Sequence, residues 1–173
     1  MDAPRRRLML AAGAASVLPL AACSESPVAT FADFDAARRA LMALGTQART
    51  TAGWPLAQVL QHAAQSIEYS IDGFPAPKPA LFQNTLGKGA WTVFNTRGRM
   101  SHSLTEPIPG APALDAALPL ERATTRLLAA IERFERHGGA LQPHFAYGAL
   151  DKRAYARAHL MHLANHWSEV APV

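Results

Sequence analysis

Apolar residues recur with the 3.6-residue period of an amphipathic helix in four stretches of the chain. Phe34, Ala37, Leu41 and Leu44 form one stripe, which predicts a helix over residues 31–49. Thr50-Thr51-Ala52-Gly53 interrupts it, and Trp54-Pro55 opens a second helix. Pro55 lies near the first turn, where its missing N–H costs least. Leu56, Val59, Leu60, Ala63 and Ile67 give that helix a clear apolar face, and Asp72-Gly73 should end it. Periodicity returns over residues 120–134, with Leu120, Thr124, Leu127, Leu128 and Ile131 in register, and stops at Gly138-Gly139. Asp151 is placed to cap a last helix running to about Val170.

Between the second and third helices, residues 74–119 lose this pattern. More than half of the thirteen prolines fall there, with Gly87, Gly89, Gly98 and Gly110 among them. The residues suggest a short helix near Leu81 and a strand-like patch at Trp91-Thr92-Val93-Phe94. A structureless loop of this length is unusual in a compact domain, so the segment is expected to fold over one end as a lid. The fold class is all-α: a four-helix bundle with a long irregular crossover between helices 2 and 3.

The first thirty residues differ in kind. Arg5, Arg6 and Arg7 precede an uncharged run from Leu8 to Ala22. That run is shorter than the roughly 20 residues a membrane span needs and has the length of a signal-peptide core. Leu20-Ala21-Ala22-Cys23 resembles the lipobox of bacterial lipoproteins, which makes Cys23 the expected lipidation site. Arg5-Arg6-Arg7-Leu8-Met9 resembles a twin-arginine export signal, although a generic arginine-rich secretory signal fits the same residues. Residues 1–22 are thus expected to be a signal peptide, 23–30 a lipidated tether, and 31–170 the bundle. Ser24 follows the cysteine where an inner-membrane retention signal would place aspartate. The expected location is the cell envelope, facing the periplasm, with the outer membrane favoured over the inner and contact to the membrane through the lipid.

Cleavage changes the composition. The whole chain has 17 Lys+Arg against 13 Asp+Glu; without Asp2, Arg5, Arg6 and Arg7 it has 14 against 12. The basic balance is therefore partly a property of the signal and gives no reason to invoke nucleic acid. Removing residues 1–22 leaves 151 of the 173 residues, enough for one domain with a core. Cys23 is the one cysteine, so with it acylated, disulfides, thiolate ligands and a cysteine nucleophile are excluded. Gly87-Lys88-Gly89 lacks the rest of a P-loop, and there is no Gly-x-Ser-x-Gly elbow.

Histidine is left as the informative residue. Five of seven lie outside the crossover and the Arg136-His137-Gly138 turn: His62, His144, His159, His162 and His166. His162 and His166 are four apart, which puts both imidazoles on one helix face within reach of a shared ion. His159 lies one turn earlier on that stripe. The stripe borders the apolar positions Leu160, Leu163, Trp167 and Val170, so these histidines belong at the core edge. Core-edge histidines without a ligand share such spacing, and spacing does not bring His62 to the pair. The zincin pattern needs glutamate after the first histidine, and Leu163 stands there instead.

Two segments carry a family resemblance. Gly53-Trp54-Pro55-Leu56-Ala57-Gln58-Val59-Leu60-Gln61-His62, continuing through Ser66-Ile67-Glu68-Tyr69-Ser70, resembles the second helix of the DinB-like superfamily, and within it the family of unknown function 1569. Pro143-His144-Phe145-Ala146-Tyr147-Gly148-Ala149-Leu150, followed by His159 to Glu169, is similar to that family's closing motif. The resemblance covers roughly residues 31–170. It implies a four-helix bundle holding a divalent metal (zinc, nickel, iron or manganese) at its open end, with ligands carried over to His62, His162 and His166. The sequence departs from the family pattern at Asn165, where a second adjacent histidine is common, and at Trp167-Ser168-Glu169, which replaces a basic residue and glutamine.

Two classes of function fit. One is a periplasmic metal-dependent hydrolase or transferase, with the crossover shaping a pocket for a small molecule. The other is a non-catalytic ligand- or partner-binding lipoprotein in which the histidines are structural and His102, His144 and Tyr147 are ordinary loop or packing residues. Glu169 is read as a solvated helix-end residue, with a role in orienting His166 or as a base as the alternatives.

Overall fold

The computed structural model describes residues 30–171; the expected signal peptide and all of the expected tether except Thr30 lie outside them, Cys23 included. The regular structure of the described residues is helical apart from one pair of two-residue strands and an isolated bridge. Helix α1 spans Phe34–Met42, capped by the Asp33 carboxylate, which accepts from the Ala36 N–H at 2.7 Å. Phe34, Ala37 and Leu41 are its buried face. It stops well short of the expected residue 49. Beyond Gly45 the backbone turns, and Arg49–Thr50 (β1) bonds across the chain instead of along it.

Helix α2, Leu56–Asp72, ends at Gly73, whose φ of +100° suits a residue without Cβ. It is the central element, buried on its polar side as well as its apolar one. Gln61, His62, Gln65, Ser66 and Ser70 are all buried. Three glutamines one turn apart explain how that side is covered. Gln58 Nε2 donates to the Leu114 carbonyl at 3.3 Å, Gln61 Nε2 to Asp115 at 2.8 Å, and Gln65 Nε2 to Pro112 at 3.2 Å. Gln61 Oε1 accepts from the Asp115 N–H in return. The end of the crossover is thereby laid along α2, with its backbone groups satisfied by side chains.

The first half of the crossover is helical: α3 at Ala80–Phe82, a π turn at Gln83–Gly87, and α4 at Lys88–Arg97. The short helix expected near Leu81 is there. The strand expected at Trp91–Phe94 is not; those residues lie within α4. Trp91 and Phe94 both pack on the Tyr147 ring, with centroids 5.9 and 6.5 Å away. Residues three apart share a helix face, whereas a strand would send them to opposite sides. Gly87 passes so close to the following segment that a Cβ there would lie 1.9 Å from the Ala146 carbonyl oxygen. Gly87→Ala is expected to destabilise the fold by about 3 kcal/mol, the upper end of the usual cost of overpacking, because the obstructing atom is backbone. An unchanged urea midpoint would show that the approach is not maintained in solution.

Helix α5, Leu120–Arg136, buries Ala123, Leu127, Ala130, Ile131 and Phe134 against α2. Arg126 and Arg133 reach across to Glu68 and Asp72 in two-pronged pairs, at 2.7–3.0 Å and 2.6 Å. Helix α6, Lys152–Trp167, starts at the expected cap, Asp151, whose side chain accepts from the Ala154 N–H. It ends at Trp167, before the anticipated Val170, because Val170–Ala171 (β2) pairs antiparallel with β1. With α1, α2, α5 and α6 around one core, the architecture is the all-α bundle read from the sequence. No helix among the described residues is long and apolar enough to cross a membrane.

Candidate metal centre

Helices α2 and α6 run antiparallel. His159 on α6 meets Ser70 late in α2, while His162 and His166 meet His62 early in it. The expected trio is thus brought together. His162 Nε2 lies 3.1 Å from His62 Nε2 and 3.1 Å from His166 Nε2, and one nitrogen from each ring falls within 4.8 Å of the others. Metal–nitrogen bonds of about 2.0–2.1 Å place ligand nitrogens roughly 3 Å apart, so the cluster has the dimensions of a three-imidazole site.

The protonation state fits as well. Burial, with smaller contributions from the neighbouring imidazoles, lowers His62 to about 4 and His166 to about 3, and holds His162 well below the ordinary value. All three are neutral at pH 7 and present lone pairs, the form a metal requires. The Nδ1 atoms of His62 and His166 are buried without a hydrogen-bond partner among the described residues. The trio can therefore hold a metal ion, but these two rings lack the carbonyl or carboxylate that commonly anchors a ligand's second nitrogen.

Beside the cluster is a cavity of about 160 Å³. Its walls combine His62 and His162 with the apolar Met100, Ile108 and Phe145. The crossover supplies Met100 to Pro109, so the segment expected to act as a lid does cover this end. A larger groove, about 510 Å³ along Ala48–Ala57 and Leu120, has no histidine or carboxylate in its walls.

The other histidines fall into distinct roles. His159 contacts the Ser70 hydroxyl at 3.3 Å; that hydroxyl donates to the Ile67 carbonyl, so His159 Nε2–H is the donor. Its ring lies between Phe134 and Tyr155, away from the cluster. His144 Nδ1 accepts from the backbone N–H groups of Ala146 and Tyr147, and its ring stacks on Tyr147 at 4.2 Å. It still borders the cavity. Burial pushes the Tyr147 hydroxyl up to about 12, so it stays protonated. Glu169 is half-buried against Gly53, one carboxylate oxygen lacking a partner among the described residues. Its backbone N–H donates to the His166 carbonyl at 3.2 Å, but its carboxylate makes no hydrogen bond to the His166 ring, and its end is not freely solvated.

One residue was undervalued from sequence. His102, in the crossover, places its ring 4.9 Å from His162 and 5.6 Å from His166. Nothing in its neighbours marks it, since only the path of the crossover brings it there.

Over residues 26–173 the chain matches the family described as protein of unknown function (DUF1569). It belongs to that family. No curated protein and no solved structure matches the chain. The functional reading of this DUF1569 protein therefore rests on its own histidines.

Proposed function

We propose that this DUF1569 protein is an exported lipoprotein, anchored through Cys23 in the cell envelope. In this reading its bundle holds a divalent metal through His62, His162 and His166, in service of a metal-dependent hydrolase or transferase. The convergence of three neutral Nε2 atoms beside a cavity is the observation that carries this reading. Imidazoles without a carboxylate suit zinc, nickel or iron better than manganese. A metal with three protein ligands supplies Lewis acidity at an open position. The chain's own residues would hold that position beside Met100, Ile108 and Phe145, which keep bulk water off a small substrate.

A second reading, a non-catalytic ligand- or partner-binding lipoprotein, draws on the same 3.1 Å contacts, which are also hydrogen-bond distances between neutral imidazoles. Metal content separates the two. Residues 24–173, which retain the whole described fold, would be purified without chelator or polyhistidine tag. Near-stoichiometric zinc, nickel or iron is expected, and His162→Ala should reduce it to background. A metal-free parent that also refuses added zinc and nickel would rule out the metal centre and leave the binding reading.

A further inference from the structure

The crossover passes over the cluster between two buried anchors, Met100 and Ile108. Between them residues 101–107 are exposed except for His102 and Leu104, which are half-buried. Such a segment has ends fixed in the core and a middle that few contacts retain. His102 is the side chain that this middle turns toward the histidines.

Three observations concern its orientation. First, its Nδ1 lies 2.7 Å from the Ser103 carbonyl oxygen, which accepts only, so Nδ1 carries the proton and Nε2 keeps a lone pair. That is the tautomer of a histidine ligand, with the anchored second nitrogen that His62 and His166 lack. Second, the ring spacings place His102 beside the two ligands on α6. His62, His162 and His166 have centroids 4.9–5.1 Å apart, and His102 lies 4.9 and 5.6 Å from the two on α6. Four rings around one ion with bonds of about 2.0–2.1 Å sit roughly 5 Å apart, centre to centre. Third, Asn165 on α6, next to His166, donates from Nδ2 to the His102 carbonyl at 3.4 Å, tying this point of the crossover to the helix that bears two ligands.

Resting on the three-histidine reading above, we propose that His102 is a fourth, displaceable ligand, so that the crossover closes the metal centre when seated and frees a coordination position when it lifts. Its nitrogen is outside the trio whose ligand atoms lie within 4.8 Å of one another, so closure draws the exposed 101–107 segment inward. Sites with four protein ligands are closed and those with three are open. A single histidine on a loop would convert one into the other. Small molecules with an oxygen or nitrogen donor and an apolar body are the class that would compete with His102, since the cavity pairs the cluster with Met100, Ile108 and Phe145.

Cobalt(II) reports this directly, because its visible absorption is strong when four-coordinate and weak at higher coordination. Residues 24–173 would be titrated with cobalt(II), beside His102→Ala, His102→Gln and His162→Ala, with circular dichroism confirming that each variant is folded. The unaltered protein should show intense bands. Both His102 variants should keep one equivalent of cobalt with weaker, shifted bands and at least about tenfold lower affinity. Cobalt should also slow amide exchange across residues 101–107 in the unaltered protein and leave it unchanged in His102→Ala. Identical spectra, affinities and exchange in the unaltered protein and the His102 variants would overturn the fourth ligand while leaving the trio standing. Failure of the unaltered protein to take up cobalt would overturn the trio itself, and with it this proposal.

Discussion

Between pH 6.5 and pH 4.5 the metal-free protein is expected to lose several kcal/mol of folding stability through its buried histidines, His144 and His159 among them. Burial lowers each of these two from the ordinary 6.5 to about 3. A folded-state value below the unfolded one means that the unfolded chain takes up protons first. The stability these groups contribute is therefore complete above pH 6.5 and declines as pH falls toward 3. Each such group shifts stability by about 1.4 kcal/mol per pH unit across that window. Two of them over two units approach the total stability of an ordinary domain, on the order of 5–15 kcal/mol. Urea midpoints measured from pH 7.5 to 4.5 test this. His159→Gln, which keeps a donor for Ser70, should flatten the slope by about one proton. A midpoint independent of pH over that range would mean that these rings are solvated in the folded state.

The second large effect is thermal. An ion that binds only the folded protein stabilises it by about 4 kcal/mol when present at 1,000 times its dissociation constant. For a domain of this size each kcal/mol moves the midpoint by roughly 2–4 °C, so zinc should raise it by about 8–16 °C. A chelator should reverse the shift, and His162→Ala should be insensitive to zinc. Loading should also blunt the acid sensitivity contributed by His62, His162 and His166, because a bound ion competes with protons for the same lone pairs. A zinc-dependent rise of the same size in His162→Ala would place the binding elsewhere on the molecule.

How much of this was legible in the sequence varies with the range of the interactions involved. Helices α2 and α5 and the start of α6 follow from local period and capping: Leu56 to Ile67, Leu120 to Ile131, and Asp151. The termini of α1 and α6 were overextended because β1 and β2 pair across more than a hundred residues, and neither dipeptide announces its partner. Trp91 to Phe94 has the composition of a strand. Its packing on Tyr147 decides for a helix, and propensity carries little weight against a tertiary contact. The trio was half-legible. His162 and His166 share a face by spacing alone, whereas His62 reached them through the family resemblance. From sequence His102 reads as an ordinary loop residue, and the glutamine row that lays the crossover on α2 carries no local signal. Gln58, Gln61 and Gln65 are visible in the sequence, but the carbonyls they bind belong to residues chosen by the fold.

The joining of the domain's two ends has a mechanical consequence. Phe31 meets Trp167 edge-on at 5.5 Å, and β2, just beyond Trp167, pairs with β1. Trp167 is the immediate neighbour of His166. A pull on the chain ahead of Phe31 would therefore load this corner of the bundle, where Phe31 joins the last turn of α6 to the core that Phe34 shares with Phe134. Tension along the N-terminal side would thus be felt at the residue next to a histidine of the cluster as well as in the core.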